Sequence, residues 1–199
     1  LPGPRFFDWR DDKPATVFWV EALDGGDMKN QMEFHDQIYT LDPPFSGEPL
    51  KLVATALRFN GITWGGYDLA MITEGSARSR TVITSSFNPS VPMQPKKKIH
   101  EYNRDDRYNN PGRFITGPNQ YGRNALLFSD RGKSLLLSGS GASPEGDRPF
   151  IDKYEIEGGR TTRLWRSEAP YYETPVTVID IAKGRSEERR VGKECRSRW

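Results

Sequence analysis

The sequence predicts an all-β fold, and three observations carry the prediction. Short apolar segments alternate with a period near two. The 15 prolines and 19 glycines punctuate the chain between them. No window keeps apolar residues at i, i+3, i+4 and i+7 for three turns, so helix is expected to be scarce.

The segments read as strands in order. They are "ATVFWVEA" (Ala15–Ala22), "QIYTLD" (Gln37–Asp42), "DLAMITE" (Asp68–Glu74), "RTVITSS" (Arg80–Ser86), "SLLLSG" (Ser134–Gly139), "KYEIE" (Lys153–Glu157) and "TVIDIA" (Thr177–Ala182). Each is rich in β-branched and aromatic residues and is bounded by Gly, Pro, Asp or Asn, residues that break a ladder or favour a turn. Two longer stretches, "QIYTLDPPFSGEPLKLV" (Gln37–Val53) and "DKYEIEGGRTTRLW" (Asp152–Trp165), read as strand, Gly-containing turn, strand. In the second, Gly158-Gly159 suits a two-residue hairpin, because glycine takes a positive φ without steric cost.

These elements repeat. "RFFDW" (Arg5–Trp9) precedes "TVFWV" and "RFNGITW" (Arg58–Trp64) precedes "LAMIT", with the two tryptophans 55 positions apart. A third unit, "ALLFSDRGKSLLL" (Ala125–Leu137), carries Phe128 in place of tryptophan. Three loose units of roughly 55–65 residues, about four strands each, predict a partial β-propeller with insertions, at residues 1–56, 57–117 and 118–183. An ordinary β-sandwich with chance similarity between strands accounts for the same pattern.

Charge divides the chain differently. It has 29 Lys and Arg against 27 Asp and Glu. Residues 185–199, "RSEERRVGKECRSRW", hold six of the cations and three of the anions, which leaves 23 against 24 in the rest. A near-neutral body lacks the clustered cations that give nucleic-acid binders their affinity. The single cysteine, Cys195, lies in the same tail, so the body has neither a disulfide framework nor a cysteine zinc site. Apolar runs as short as "TVFWV" and "LAMI" do not span a bilayer. The chain begins at Leu1 with no apolar signal region and is expected to be an internal piece of a longer protein.

Several long stretches resemble the N-terminal propeller of the prolyl oligopeptidase family of serine peptidases, in particular its glutamyl endopeptidase-like branch. They are "FFDWRDDKPATVFWVEALDGGD" (Phe6–Asp27), "LRFNGITWG" (Leu57–Gly65), "DDRYNNPG" (Asp105–Gly112) and "GASPEGDRPFIDKYEIEGGRTTRLWRSEAPYYE" (Gly141–Glu173). The resemblance favours the propeller over the sandwich. It implies that the partners are an α/β-hydrolase domain, lying further toward the C-terminus and carrying the catalytic triad, and a peptide substrate. It implies no cofactor or metal, and it suggests an exported or periplasmic bacterial protein. No catalytic residue transfers to this chain. A nucleophile elbow needs Gly-x-Ser-x-Gly, and Ser143, with Gly141 before it, has Glu145 where the second glycine belongs. Residues 184–199 resemble translated adapter or vector sequence and are expected to form a non-native, disordered tail. The other reading of the whole chain is a stand-alone propeller that binds a protein or glycan partner.

Smaller motifs add candidates. "NRDDRYNNPG" (Asn103–Gly112) fails the spacing of a calcium loop and reads first as a salt-bridged loop. If it faces the hydrolase domain, Arg104 or Arg107 would meet an acidic substrate side chain, with Tyr108 beside them. "RSEAPYYE" (Arg166–Glu173) offers Tyr171 and Tyr172 in the same way. His35 and Asp36 are adjacent, so on a strand their side chains point apart, and His35 is expected at the surface. His100 follows "PKKK" and reads as a solvated loop or strand edge. "GSGASPEG" (Gly139–Gly146) mimics a dinucleotide-binding loop but puts Pro144 in place of the third glycine and lacks a strand–helix unit around it.

Overall fold

The structure, a computed structural model, describes residues 3–180 and 185–191, with side chains as far as residue 175. Strands make up its regular structure, with a single 3₁₀ turn at Asp130–Gly132 and no α-helix among the described residues. Two compact units share the chain, one formed by residues 1–104 and 116–126, the other by residues 105–115 and 127–199.

The first unit holds two four-stranded antiparallel meanders, each with its strands side by side in chain order. One comprises β1 (Arg5–Trp9), β2 (Val17–Ala22), β3 (Asp36–Leu41) and β4 (Leu50–Thr55). The other comprises β5 (Arg58–Trp64), β6 (Ala70–Gly75), β7 (Thr81–Phe87) and β8 (Lys97–Asn103). Phe18, Val20, Ile38, Leu52 and Val53 from the first sheet form one core with Phe59, Trp64, Ala70, Ile72 and Phe87 from the second. Trp64 is its centre. It meets Phe18 edge-on at 5.4 Å and Phe87 at 6.5 Å, and the Arg10 guanidinium covers its ring at 4.5 Å. Removing a buried aromatic of this kind costs about 3–5 kcal/mol.

Two short strands from later in the chain complete this unit. After β9 (Arg113–Phe114), the strands β10 (Thr116–Pro118) and β11 (Asn124–Leu126) form a hairpin. Its turn seals the β1–β2 connection. Arg123 donates to the carbonyls of Arg10 at 2.8 Å, Lys13 at 2.7 Å and Pro14 at 3.1 Å, and Asn119 donates to that of Asp11.

The second unit contains a third meander, built from β12 (Phe128–Ser129), β13 (Ser134–Gly139), β16 (Phe150–Glu155) and β17 (Thr161–Arg166). A short hairpin of β14 (Ala142–Ser143) and β15 (Gly146–Asp147) lies between β13 and β16. β9 and β12 both pair with β13, β9 at Leu137 and Ser138 and β12 at Ser134 and Leu135. The first strand of this meander is therefore split, and the β10–β11 hairpin is the insertion that splits it. Trp9, Trp64 and Phe128, the markers of the sequence repeat, each lie in the first strand of a meander.

Three expectations need correction. Gly158-Gly159 is not a two-residue hairpin. Glu155 N–H bonds the Arg160 carbonyl at 2.9 Å, so Ile156–Gly159 form a longer turn in which Gly159 takes φ 68°. His35 is buried, at 8 % exposure, because an acidic partner described below draws it inward. Finally, the expected disordered tail contains a strand. β19 (Arg185–Val191) runs antiparallel to β18 (Tyr172–Asp180), pairing Tyr172 with Val191 and Asp180 with Arg185. A backbone ladder needs only donors and acceptors, so a charged segment can pair in a two-stranded sheet without an apolar pattern. Residues 181–184 and 192–199 lie outside the described residues.

Candidate functional site

In the second unit, the loop from Asp105 to Gly112 meets the β14–β15 hairpin. Asp106 shapes the loop by accepting the N–H groups of Tyr108 at 3.1 Å and Asn109 at 3.2 Å, and the Asn109 side-chain amide at 2.7 Å. This is the local turn chemistry for which Asp and Asn are suited. The Asn109 amide and backbone contacts, joined by that of Tyr108, hold the Asp106 carboxyl below its ordinary range against the opposing effect of burial. Asn110 then accepts the Gly112 N–H at 2.9 Å. Gly112 has φ 84°, and a Cβ there would run into the Ser138 carbonyl. Only glycine fits.

The hairpin is equally constrained. Ser143 Oγ donates to the Gly146 carbonyl at 2.6 Å, and Arg148 N–H donates to the Gly141 carbonyl at 3.0 Å. Gly141 has φ 60°, and a Cβ there would strike the Arg148 carbonyl. Between loop and hairpin lies a cavity of about 410 Å³, walled by residues 105–108 and by Ala142, Ser143, Pro144, Gly146 and Asp147. Arg107 Nη2 crosses it to Asp147, at 3.1 and 3.3 Å from the two carboxylate oxygens.

The wall brings together two of the five residues singled out in the sequence, Arg107 and Tyr108. Arg107 is engaged by Asp147, so its charge is already matched, and Asp105 and Asp106 make the lining acidic on balance. Tyr108, 66 % exposed, presents its ring to solvent. Arg104 belongs to the first unit, where its N–H bonds the Arg80 carbonyl at 2.9 Å. Tyr171 and Tyr172 are about half exposed and lie outside the cavity wall. They follow a turn closed by buried Ser167, which donates to the Tyr171 carbonyl and accepts the Glu173 N–H. Asp147 was missed in the sequence, and Ser143 entered there only as a failed nucleophile elbow; the extra short hairpin that positions them carries no apolar signal. A larger recess of about 740 Å³, at the Ser134 and Glu155 ends of β13 and β16, contains none of the five.

A buried ion cluster holds the two sheets of the first unit together. Asp24 and Asp36 side chains are wholly buried. Arg58, at the start of β5, donates to Asp24 Oδ2 at 2.6 Å and Asp36 Oδ1 at 2.7 Å. Arg5 donates to Asp36 Oδ1 at 2.5 Å, and Phe59 N–H donates to Asp36 Oδ2 at 2.9 Å. His35 Nδ1 lies 2.7 Å from Asp24 Oδ2. Burial alone pushes the Asp24 carboxyl up. Hydrogen bonds from Arg58, His35 and the Gly26 N–H, with the Arg58 charge, outweigh it and bring the group down to about 2. His35 thus serves Asp24 and not its neighbour Asp36. His100 lies in β8, the edge strand of its sheet, where burial pushes its imidazole down.

Neither site presents a nucleophile activated by a base. Ser143 donates to a backbone carbonyl, and the buried His35 is held by an aspartate beside an arginine. The cavity can bind, and the ion cluster can hold sheets together.

In class, the described chain is a run of four-stranded antiparallel meanders with a surface recess on the third. No family model matches it. It is 33 % identical over 183 residues to a rice (Oryza sativa subsp. japonica) protein named probable glutamyl endopeptidase, chloroplastic, covering 89 % of this chain and 20 % of that protein. It is 32 % identical over 188 residues to the Arabidopsis thaliana protein of the same name, covering 91 % of this chain and 20 % of that one. The chain is a homologue of these glutamyl endopeptidase-named proteins over nearly its whole length, and it spans about a fifth of theirs.

Proposed function

We propose that the chain is a non-catalytic β-propeller portion of a serine peptidase of the prolyl oligopeptidase type, in which each meander is one blade. The observation that carries the reading is the identity, across 89 % of the chain, to a much longer protein named as an endopeptidase. The up-and-down order of the strands in each meander supports it, since a propeller blade has that order. In this reading the hydrolase domain supplies acyl transfer through a serine, histidine and aspartate. The blades restrict access to short peptides.

The recess beside the β14–β15 hairpin is the part of this segment that touches peptide. Tyr108 offers an exposed aromatic face, and Arg107, held by Asp147, fixes the loop. Arg104, Tyr171 and Tyr172 are further contacts of the same kind.

The test uses a fluorophosphonate probe and a peptide series. The isolated chain should neither be labelled nor cleave peptides. A longer protein that continues this chain with a hydrolase domain should do both, and Tyr108→Ala in it should raise KM with kcat little changed. Labelling of the isolated chain at a serine would overturn the assignment of this segment as non-catalytic. An unchanged KM would remove Tyr108 from the substrate path.

A further inference from the structure

The ion cluster of the first unit leaves two buried polar atoms without a hydrogen-bond partner, Arg5 Nη1 and Thr55 Oγ1. Thr55 is completely buried, at 0 % exposure. Its backbone is satisfied, because its carbonyl accepts the His35 N–H at 2.8 Å. Only the hydroxyl lacks a partner. Arg5 is satisfied at Nη2 by Asp36 but not at Nη1. The Phe6 ring centroid, 5.9 Å from Arg5 Cζ, gives that guanidinium a weak electrostatic contact and no oxygen acceptor.

Both atoms converge on one residue. Asp36 in β3 pairs directly with Thr55 in β4, and directly opposed residues of an antiparallel pair project their side chains to the same face about 5 Å apart. Arg5 reaches the same carboxylate from β1. A buried donor is rarely left unsatisfied, and two such groups beside one carboxylate are the setting in which an interior water is held, typically by about three hydrogen bonds.

We infer that an ordered water binds in the first unit beside Asp36, accepting from Arg5 Nη1 and hydrogen-bonded to Thr55 Oγ1. Charge selects water over an ion. Asp24 and Asp36 are already matched by Arg5 and Arg58, so a neutral ligand preserves the balance and an anion or cation upsets it. The water completes the Arg5 guanidinium and keeps that side chain on Asp36, which Arg58 also grips.

The sign of one substitution decides the matter. Thr55→Val keeps the shape and removes the hydroxyl. In a dry site it removes an unpaired buried group, and the melting temperature should stay or rise. With the water present it strips the water of a partner, and the melting temperature should fall by roughly 3–6 °C, the shift that a loss of about 1 kcal/mol produces in a unit of somewhat more than about 100 residues. Thr55→Ser, which keeps the hydroxyl, should restore most of that loss. A crystal structure of the chain should show a water within hydrogen-bonding distance of both atoms. An unchanged or raised melting temperature for Thr55→Val, a dry cavity in the density, or stability that rises with chloride concentration through binding at this site would each overturn the inference. Thr55 lies outside the recess assigned to peptide, so this result is independent of the proposed function.

Discussion

Arg58→Ala is the sharpest perturbation this structure offers. It removes the one cation that joins Asp24 to Asp36, and it leaves the Asp24 carboxylate with only His35 and the Gly26 N–H. Both carboxylates are wholly buried, whereas the Arg58 side chain is 24 % exposed. Breaking a buried pair by deleting one partner costs about 3–5 kcal/mol, because the survivor stays desolvated. Partial exposure of Arg58 argues for the lower half of that range, about 3 kcal/mol. For a unit of somewhat more than about 100 residues each kcal/mol shifts the midpoint by about 3–6 °C, so the melt should fall by at least about 9 °C. Trp64, in the core the cluster flanks, reports the transition by its fluorescence. The pH dependence gives a second, signed test. Asp24 sits at about 2 in the fold, below its ordinary 3.8. A depressed carboxyl stabilises the fold above its unfolded value and loses that contribution as pH falls through the folded one. Wild type should therefore lose this contribution between about pH 4 and pH 2. Arg58→Ala should begin its acid loss at higher pH. Arg58→Met combined with Asp24→Asn should recover much of the lost stability, because Asp36 keeps Arg5 as its cation and no buried carboxylate of the cluster is left without one. A loss under about 1 kcal/mol for Arg58→Ala, with an unshifted acid limb, would refute the cluster as a clasp.

Three further outcomes are expected. Arg107→Ala should change the stability of the chain by no more than about 1 kcal/mol in a denaturant titration, because its pair with Asp147 is 68 % and 33 % exposed and solvent screens it. Gly141→Ala should destabilise the second unit markedly while leaving hydrogen exchange in β2 and β6 of the first unit unaltered, since its positive φ and the Arg148 carbonyl both exclude a side chain. Arg123→Ala should lower the stability of the first unit by about 1.5–3 kcal/mol, the scale of charge-assisted hydrogen bonds, by releasing the three carbonyls of the β1–β2 connection. Hydrogen exchange at Thr16 and Val17 should rise with it.

The strands legible in the sequence were those whose side chains face a core. "TVFWV", "LAMIT" and "SLLLSG" carry the Phe18, Ile72 and Leu135 that are buried here, and their apolar residues exist because those faces are covered. β8, read only as a solvated loop or strand edge, was blurred for the converse reason. "KKIHEYN" is an edge strand, and an edge is kept safe by lysines and other charges, which erase the apolar alternation. β19 hides in the same way. The third meander was blurred because its first strand is cut into β9 and β12, each only two residues long, with a hairpin inserted between them. A period search cannot see a strand whose halves are separated by thirteen residues, as Phe114 and Phe128 are here.

The sites were half legible, and the division follows sequence distance. Loop chemistry is local. Asp106 bonds residues two and three positions on, so "DDRYNN" announces its own turn. The ion cluster is long-range, since Arg58 reaches Asp24 and Asp36 across 34 and 22 positions and Arg5 reaches Asp36 across 31. Read singly, each of those residues is an ordinary surface charge, and His35 beside Asp36 even points to the wrong partner. The repeat still held a usable sign. Arg5 opens "RFFDW" and Arg58 opens "RFNGITW", so the same cation begins the first strand of each of the first two meanders. Both meet Asp36. A charge that recurs at one position of a repeat of sheets needs a buried counter-charge wherever adjacent sheets exclude water, and the first unit supplies it by turning Asp36 inward from β3. The third meander opens on the same pair, Arg113-Phe114 in β9, but there the arginine is exposed and has no buried carboxylate to hold among the described residues. The clasp therefore belongs to the first two meanders alone, and removing it should unfold the first unit while the β13–β16 ladder keeps its exchange protection.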